Sequence, residues 1–328
     1  MISRGELRQR IRDLRPRRPA PFIVGVTRSG TTLLRLMLDS HPKLTIPPET
    51  HFLPRMIRLA DKPDMNPAKL ARRISKHRRW GDFEISREEL AQAFREQRDL
   101  NGTTAARAFY DLYARKQGKR RWGDKTPGYQ IRMLKLKKAL PEARFIHVIR
   151  DGRDVVLSQA RRASDPTPLE TAAKRWRSRV LATRLRARRL EEGSYLEIRF
   201  EDLVRDTEGT LRRICKFIDL RFDRRMLDYH QRAGERLQEI AKELPAAEGV
   251  GELEAERRIS AHALAHEPPR EERVEAWRTE MAPDEVATFE GAAGDLLAGL
   301  GYELVSGVAF EPDSSEEDAR QPERERSR

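Results

Sequence analysis

The stretch Pro21–Ser40, PFIVGVTRSGTTLLRLMLDS, decides the fold. Phe22, Ile23 and Val24 form a short apolar run that predicts a buried strand, and the Leu-rich run after Gly30 predicts a helix. Between them, Gly25 and Gly30 are separated by four residues and followed by Thr31 and Thr32. That is the spacing of a phosphate-binding loop, in which backbone N–H groups converge on an anion at a helix N-terminus. One residue departs from the nucleotide-triphosphatase pattern: Thr31 stands where a Lys would reach the β- and γ-phosphates. The nearby cation is Arg28, inside the loop. The helix is expected to stop at Ser40-His41-Pro42, because proline disfavours helix in the residue before it.

Three further strands follow from apolar runs. Lys43–Ile46 is short and leads into Pro47-Pro48, which presents Glu49, Thr50 and His51 at its end. Arg144–Ile149 is nearly continuous in apolar character, as a parallel sheet covered on both faces requires. It ends in Arg150-Asp-Gly-Arg-Asp154 and passes into a helix carrying Val155, Val156 and Ser158. Tyr195–Phe200 is the last, with Glu201-Asp202 at its end. Strands alternating with helices predict one α/β domain with a mainly parallel sheet, whose ligands bind at the carboxyl ends of the strands. Arg150, through its fork, and Ser158, through its hydroxyl, form a second anion site beside the first. Two such sites on adjacent strand–helix turns suit a ligand with phosphate-type groups at opposite ends of a nucleoside.

The remainder organises around this frame. Residues 1–20 read as a polar N-terminal extension, and the charged stretch 306–328, lacking apolar anchors, as a disordered tail. Residues 55–118 read as helical, polar and only weakly amphipathic, an insertion that covers a site. Trp122–Pro127 reads as a turn, 169–190 as an amphipathic helix, 207–218 as a helix capped by Asp206 or Thr207, and 252–272 as a long loop. The 66 basic and 53 acidic residues give 66 − 53 = +13, which favours anionic partners: nucleic acid, a membrane surface, or a phosphate- or sulfate-bearing small molecule. The bland alternative is a solvated Arg-rich face. No helix-turn-helix, zinc finger or aromatic platform supports nucleic acid. One cysteine, Cys215, excludes a disulfide framework and a cysteine zinc cluster, and it sits at core spacing with Leu211, Ile214 and Ile218. No apolar run approaches the roughly 18 residues of a membrane span. With no apolar region near the N-terminus to mark a signal peptide, the expectation is a soluble, cytoplasmic protein. A homo-oligomer is compatible with the sequence.

Taken together, GVTRSGTTLL resembles the 5′-phosphosulfate loop of sulfotransferases that use 3′-phosphoadenosine-5′-phosphosulfate (PAPS). FIHVIRDGRDVVLS is similar to the same family's 3′-phosphate motif, with Arg150 and Ser158 in the matching positions. YLEIRFEDLV and the closing WR…FE…LL…LGY pattern from Trp277 to Tyr302 extend the resemblance over about 21–305. It implies a P-loop-type three-layer α/β/α fold, with 21–305 as the sulfotransferase domain. It implies sulfuryl transfer from PAPS to a hydroxyl or amine by in-line displacement, leaving adenosine 3′,5′-bisphosphate (PAP). Loop N–H groups, those of Ser29 and Gly30 among them, and the Thr31 and Thr32 hydroxyls would hold the 5′-phosphate, with Arg28 meeting the charge on the leaving oxygen. The donor is already activated, so no metal is expected.

In the PPET segment, which looks like the tyrosylprotein type, Glu49 is the implied general base, and Lys125 the second cation near the sulfuryl group. Arg270, Arg273, Trp277 and Arg278 are candidates for phosphate or adenine contact. Blander readings stand beside these: Glu49 pairing with Arg28 or Arg55, Lys125 as a surface turn residue, and His147 and Trp176 as core. His51 is ambiguous. A P-loop small-molecule kinase is the alternative function, disfavoured by Thr31. The acceptor is open among carbohydrate, lipid, peptide tyrosine and small-molecule hydroxyls, with 55–118 and the late loop shaping its pocket.

Overall fold

The computed structural model describes residues 17–161, 167–231, 233–234 and 267–307. The expected N-terminal extension, most of the loop at 252–272 and the charged tail therefore lie largely outside the described residues. The elements begin with β1 (Ala20–Gly25), α1 (Thr31–Asp39), β2 (Leu44–Thr45), α2 (Leu53–Ala60) and α3 (Pro67–Ile74). There follow α4 (Arg87–Arg95), α5 (Gly102–Lys116), β3 (Arg121–Trp122), β4 (Asp124–Lys125), α6 (Met133–Ala139), β5 (Ala143–Ile149) and α7 (Gly152–Ala160). The last are α8 (Leu169–Ala187), β6 (Tyr195–Arg199), α9 (Phe200–Arg205), α10 (Thr207–Phe217), α11 (Trp277–Glu280) and α12 (Pro283–Gly299).

The main sheet has the order β4-β1-β5-β6, with every pairing parallel. All of β1 is buried. Its side chains alternate: Phe22 and Val24 join the core under α2–α5, and Ile23 joins the opposite core with Leu34 and Leu38 of α1 and Leu211 and Ile214 of α10. A strand covered on both faces reads as a continuous apolar run, which is how β1 and β5 are legible in sequence. The result is the three-layer α/β/α arrangement. A third core, with Val26, Ile149, Trp176 and Phe289, closes the end of the sheet beneath α7, α8 and α12. Trp176 and Cys215 are core residues, as their spacing predicts. So is His147, whose Nδ1 lies 2.6 Å from Tyr195 Oη and whose imidazole burial pushes down to about 3. No described helix is long and apolar enough to cross a membrane.

Two expectations need correction. Residues 55–118 are not weakly amphipathic: their helices build the aromatic core on one face of the sheet. The Phe52, Phe83 and Phe109 rings meet edge to face at 5.2–5.4 Å. Tyr110 stacks on Trp122 at 4.4 Å. Charged residues on the outer faces dominate the composition and mask the few large rings that do the packing. Likewise, Trp122–Pro127 is not a plain turn. It carries β3 and β4, and β4 sets Lys125 beside Ile23 on the sheet edge. A Cβ on Gly123, between these strands, would fall 2.7 Å from Pro21 O. Strands two residues long have no periodicity to read.

Gly30, the N-cap of α1, has φ +89°, and a Cβ there would sit 2.3 Å from the Phe200 ring. Gly30→Ala is therefore expected to cost about 1–3 kcal/mol through backbone strain and overlap. Thermal unfolding checks this, and an unchanged Tm contradicts it.

Candidate active site

The loop after β1 is shaped by its backbone. Arg28 (φ +79°) and Gly30 are both left-handed, and the Ser29 N–H closes a turn onto Val26 O at 3.1 Å. Ser29 is 1% exposed and its N–H is engaged within the loop, so it supports the curve and does not line the cleft. Arg28, Gly30, Thr31 and Thr32 do line it, at the N-terminus of α1. The cleft encloses about 1200 Å³, its open mouth included.

The residues expected to form the second anion site, Arg150 and Ser158, line the same cleft. Arg150, at the end of β5, donates to Arg28 O (3.3 Å) and Arg273 O (2.6 Å) and pairs with Asp154 at 3.3 Å. Its guanidinium lies 4.5 Å from the Phe200 ring centre. Its Nε is buried with no hydrogen-bond partner among the described residues, which leaves donor capacity on a cation that lines the cleft. Ser158, two turns into α7, accepts from Arg28 Nε at 3.0 Å. Thus the two sites predicted from separate motifs are in contact across 130 residues of chain.

Residues that the sequence offered only as parts of motifs, with no role of their own, hold this side in place. The Asp154 carboxylate accepts the N–H groups of Glu275 (3.1 Å) and Trp277 (3.0 Å), drawing Arg270, Arg273 and Ala276 onto the cleft. Trp277 corrects its own expectation. It is 2% exposed, packed in the core with the Arg153 guanidinium 3.5 Å from its ring centre, and does not line the cleft. It acts through its backbone N–H. Arg278 is turned to Glu275 (3.2 Å) and Glu303. Underneath, Arg153 is buried between Asp151 (2.7 Å) and Glu290 (2.6 Å). Glu201 accepts the Asp151 N–H and the Tyr302 hydroxyl, each at 3.0 Å. The RDGRD segment, the FEDLV strand end and the closing FE and LGY pattern hold these residues in sequence, with no local sign that they meet.

At the other end of the cleft, Glu49 Oε1 accepts from Lys125 Nζ at 2.6 Å, and the same ammonium lies 3.4 Å from Thr32 Oγ1 in the loop. The Lys125 side chain is only 4% exposed, so it is not a surface turn residue. Glu49 Oε2 lies 2.8 Å from His51 Nε2 and 3.6 Å from Arg79. A buried polar cluster fixes this meeting. Thr50 Oγ1 donates to Asp124 at 2.8 Å, Thr50 N donates to Thr126 Oγ1 at 3.1 Å, and Tyr110 Oη donates to the same Asp124 oxygen at 2.8 Å. Burial would raise the Glu49 carboxyl, but the Lys125 ammonium and the hydrogen bonds from His51 and Lys125 outweigh it and hold it well below the usual carboxylate range. Burial lowers the Lys125 ammonium, and Glu49 restores only part of that. The arrangement sets an ionised carboxylate, several cations including Arg28, Arg150 and Lys125, and the N-terminus of α1 around one cleft.

The family model described as "Sulfotransferase family" matches residues 19–224. Protein-tyrosine sulfotransferase A of Caenorhabditis elegans is 27% identical over 221 residues, covering 66% of this chain and 54% of the relative. Protein-tyrosine sulfotransferase 1 of Homo sapiens is 25% identical over 293 residues, covering 87% of this chain and 70% of the relative. The chain spans about half the length of the nematode relative. Among solved structures, the sulfotransferase domain of the Synechococcus PCC 7002 olefin synthase is 26% identical with a TM-score of 0.57, covering 89% of this chain and 98% of that one. The sulfotransferase domain of the curacin biosynthetic pathway, 21% identical with a TM-score of 0.58 over 89% of this chain and all of that one, shares the fold. Matched over well more than half its length, with the phosphate loop and the Arg150 turn inside the matched region, the chain belongs to the sulfotransferase family.

Proposed function

We propose that the chain transfers a sulfuryl group from PAPS to an acceptor hydroxyl. The observation that carries this reading is the joining of two anion sites, at the ends of β1 and β5, in the cleft where Glu49 meets Lys125. Bound PAPS would supply a sulfuryl group already activated on a phosphate leaving group. The N-terminus of α1 and the Thr31 and Thr32 hydroxyls hold the 5′ end of such a donor, and Arg150, Ser158 and Arg273 its 3′ end. Arg28 and Lys125 meet the negative charge that grows on the departing oxygen. Glu49 takes the proton of the acceptor hydroxyl, and its depressed basicity keeps it ionised at neutral pH. This reading makes 21–305 the catalytic domain. The 55–118 segment borders the acceptor side through Arg79, which reaches Glu49.

Calorimetry with PAP and AMP tests the donor assignment. PAP is expected to bind about 10- to 100-fold more tightly, because a charged hydrogen-bonding site contributes about 1.5–3 kcal/mol when filled. Equal affinities sink it. For the acceptor, labelled PAPS is offered to a panel of a tyrosyl peptide, a phenol, an oligosaccharide and an aliphatic alcohol. The tyrosyl peptide comes first because the nematode and human relatives above are protein-tyrosine sulfotransferases.

A further inference from the structure

The two oxygens of Glu49 have different partners. Oε1 accepts from Lys125, which also reaches Thr32, so it is the oxygen on the side of the phosphate loop. Oε2 lies 2.8 Å from His51 Nε2. At that distance a nitrogen lone pair would oppose a carboxylate oxygen, so Nε2 carries the proton and donates it. The backbone is bent to bring this about. His51 has φ +29°, in a region that non-glycine residues rarely adopt, and the Phe52 N–H folds back onto Thr50 O. Such a conformation is strained and persists where the surroundings over-determine it. The surroundings here are the Thr50 contacts to Asp124, Thr126 and Tyr129. With Thr50 pinned inward, its neighbours Glu49 and His51 converge on each other. His77, Arg79 and Asp124 are the other charged or titratable groups near this pair.

We infer that His51 is a positioning residue for sulfuryl transfer, acting through Glu49: by holding Oε2 it keeps Oε1 turned to Lys125 and the donor side. This rests on the reading of Glu49 as general base. A carboxylate with one oxygen released rotates about its terminal torsion, which is broad and poorly restrained by itself. A misaligned base then loses proton-transfer efficiency without any loss of donor contacts.

The test measures kcat, the donor KM and PAP affinity with the acceptor that responds in the panel above. His51→Ala is expected to lower kcat by about tenfold or more while PAP affinity and donor KM stay unchanged. His51→Gln, which offers an amide N–H in place of Nε2–H, is expected to recover most of that loss. An unchanged kcat in His51→Ala, a loss that Gln fails to restore, or a parallel loss of PAP affinity each overturns the inference. If Glu49→Gln stays fully active, the base reading falls and this inference with it. If Glu49→Gln is inactive and His51→Ala is not impaired, this inference alone falls.

Discussion

Glu49→Gln is expected to lower turnover by about 10²–10⁴-fold while PAP affinity stays the same. The substitution is nearly isosteric. Its amide oxygen still accepts from Lys125, which now lies 2.6 Å from Oε1, so the cation stays near Thr32 and the loop. The capacity to take a proton is removed, and an amide NH2 replaces the oxygen that faces His51 Nε2. A variant that retains turnover refutes the base assignment, and one that loses PAP binding shows a structural role instead. The pH dependence follows from the same contacts with a definite sign. A base works when deprotonated, and the Glu49 carboxyl is held well below its ordinary value of 4.5. The acidic limb of kcat/KM due to Glu49 therefore lies below that value in the free enzyme, and kcat/KM does not fall through Glu49 between neutral pH and pH 5. Lys125 works when protonated, and burial lowers it from its ordinary 10.5. The alkaline limb is expected below that value. An acidic limb near neutrality that disappears in Glu49→Gln contradicts the depressed carboxyl while leaving Glu49 as the base.

Arg150→Ala is expected to weaken PAP binding by about 10- to 100-fold and to leave AMP binding little changed, since it removes one charged site and spares the other. Two structural consequences accompany the lost charge. The Asp154 carboxyl is raised by burial, against the opposing pull of Arg150, and without the guanidinium it rises further towards the neutral form. The carbonyls of Arg28 and Arg273 also lose their common donor, so the loop after β1 and the segment before Trp277 are no longer tied together. Arg150→Lys separates these effects: it keeps a cation but cannot make both contacts, and it should fall between Ala and the unmodified chain. A PAP affinity in Arg150→Ala equal to that of the unmodified chain overturns the placement of the second anion site.

The parts of this molecule that sequence reveals are those whose physics is local. The phosphate loop is legible because a left-handed turn against a neighbouring ring leaves room only for glycine at Gly30, and the helix that follows must begin there. β5 is legible because a strand covered on both faces is apolar at nearly every position. The helix from Leu169 to Ala187 shows itself through its period, with Trp176 and Val180 on the buried stripe. By contrast, the polar composition of 55–118 concealed an aromatic core. Trp277 carried the right residue type for a ligand contact and yet faces inward, because Asp154 captures its backbone.

The sequence alone determined the α/β class, the two anion motifs and their order, and the family. It also named Arg28, Glu49, Lys125, Arg150 and Ser158 as the residues to watch. Only the tertiary structure decided which of them meet. Glu49 and Lys125 lie 76 residues apart and touch because β4 pairs with β1 in one register, Ile23 beside Lys125, while Thr50 is locked to Asp124. Arg28 reaches Ser158 because β1 and β5 are adjacent in the sheet. A strand's residue pattern encodes which faces are buried, but its neighbour and its register are set by the packing of the whole sheet against its helices, and those two choices assemble the site.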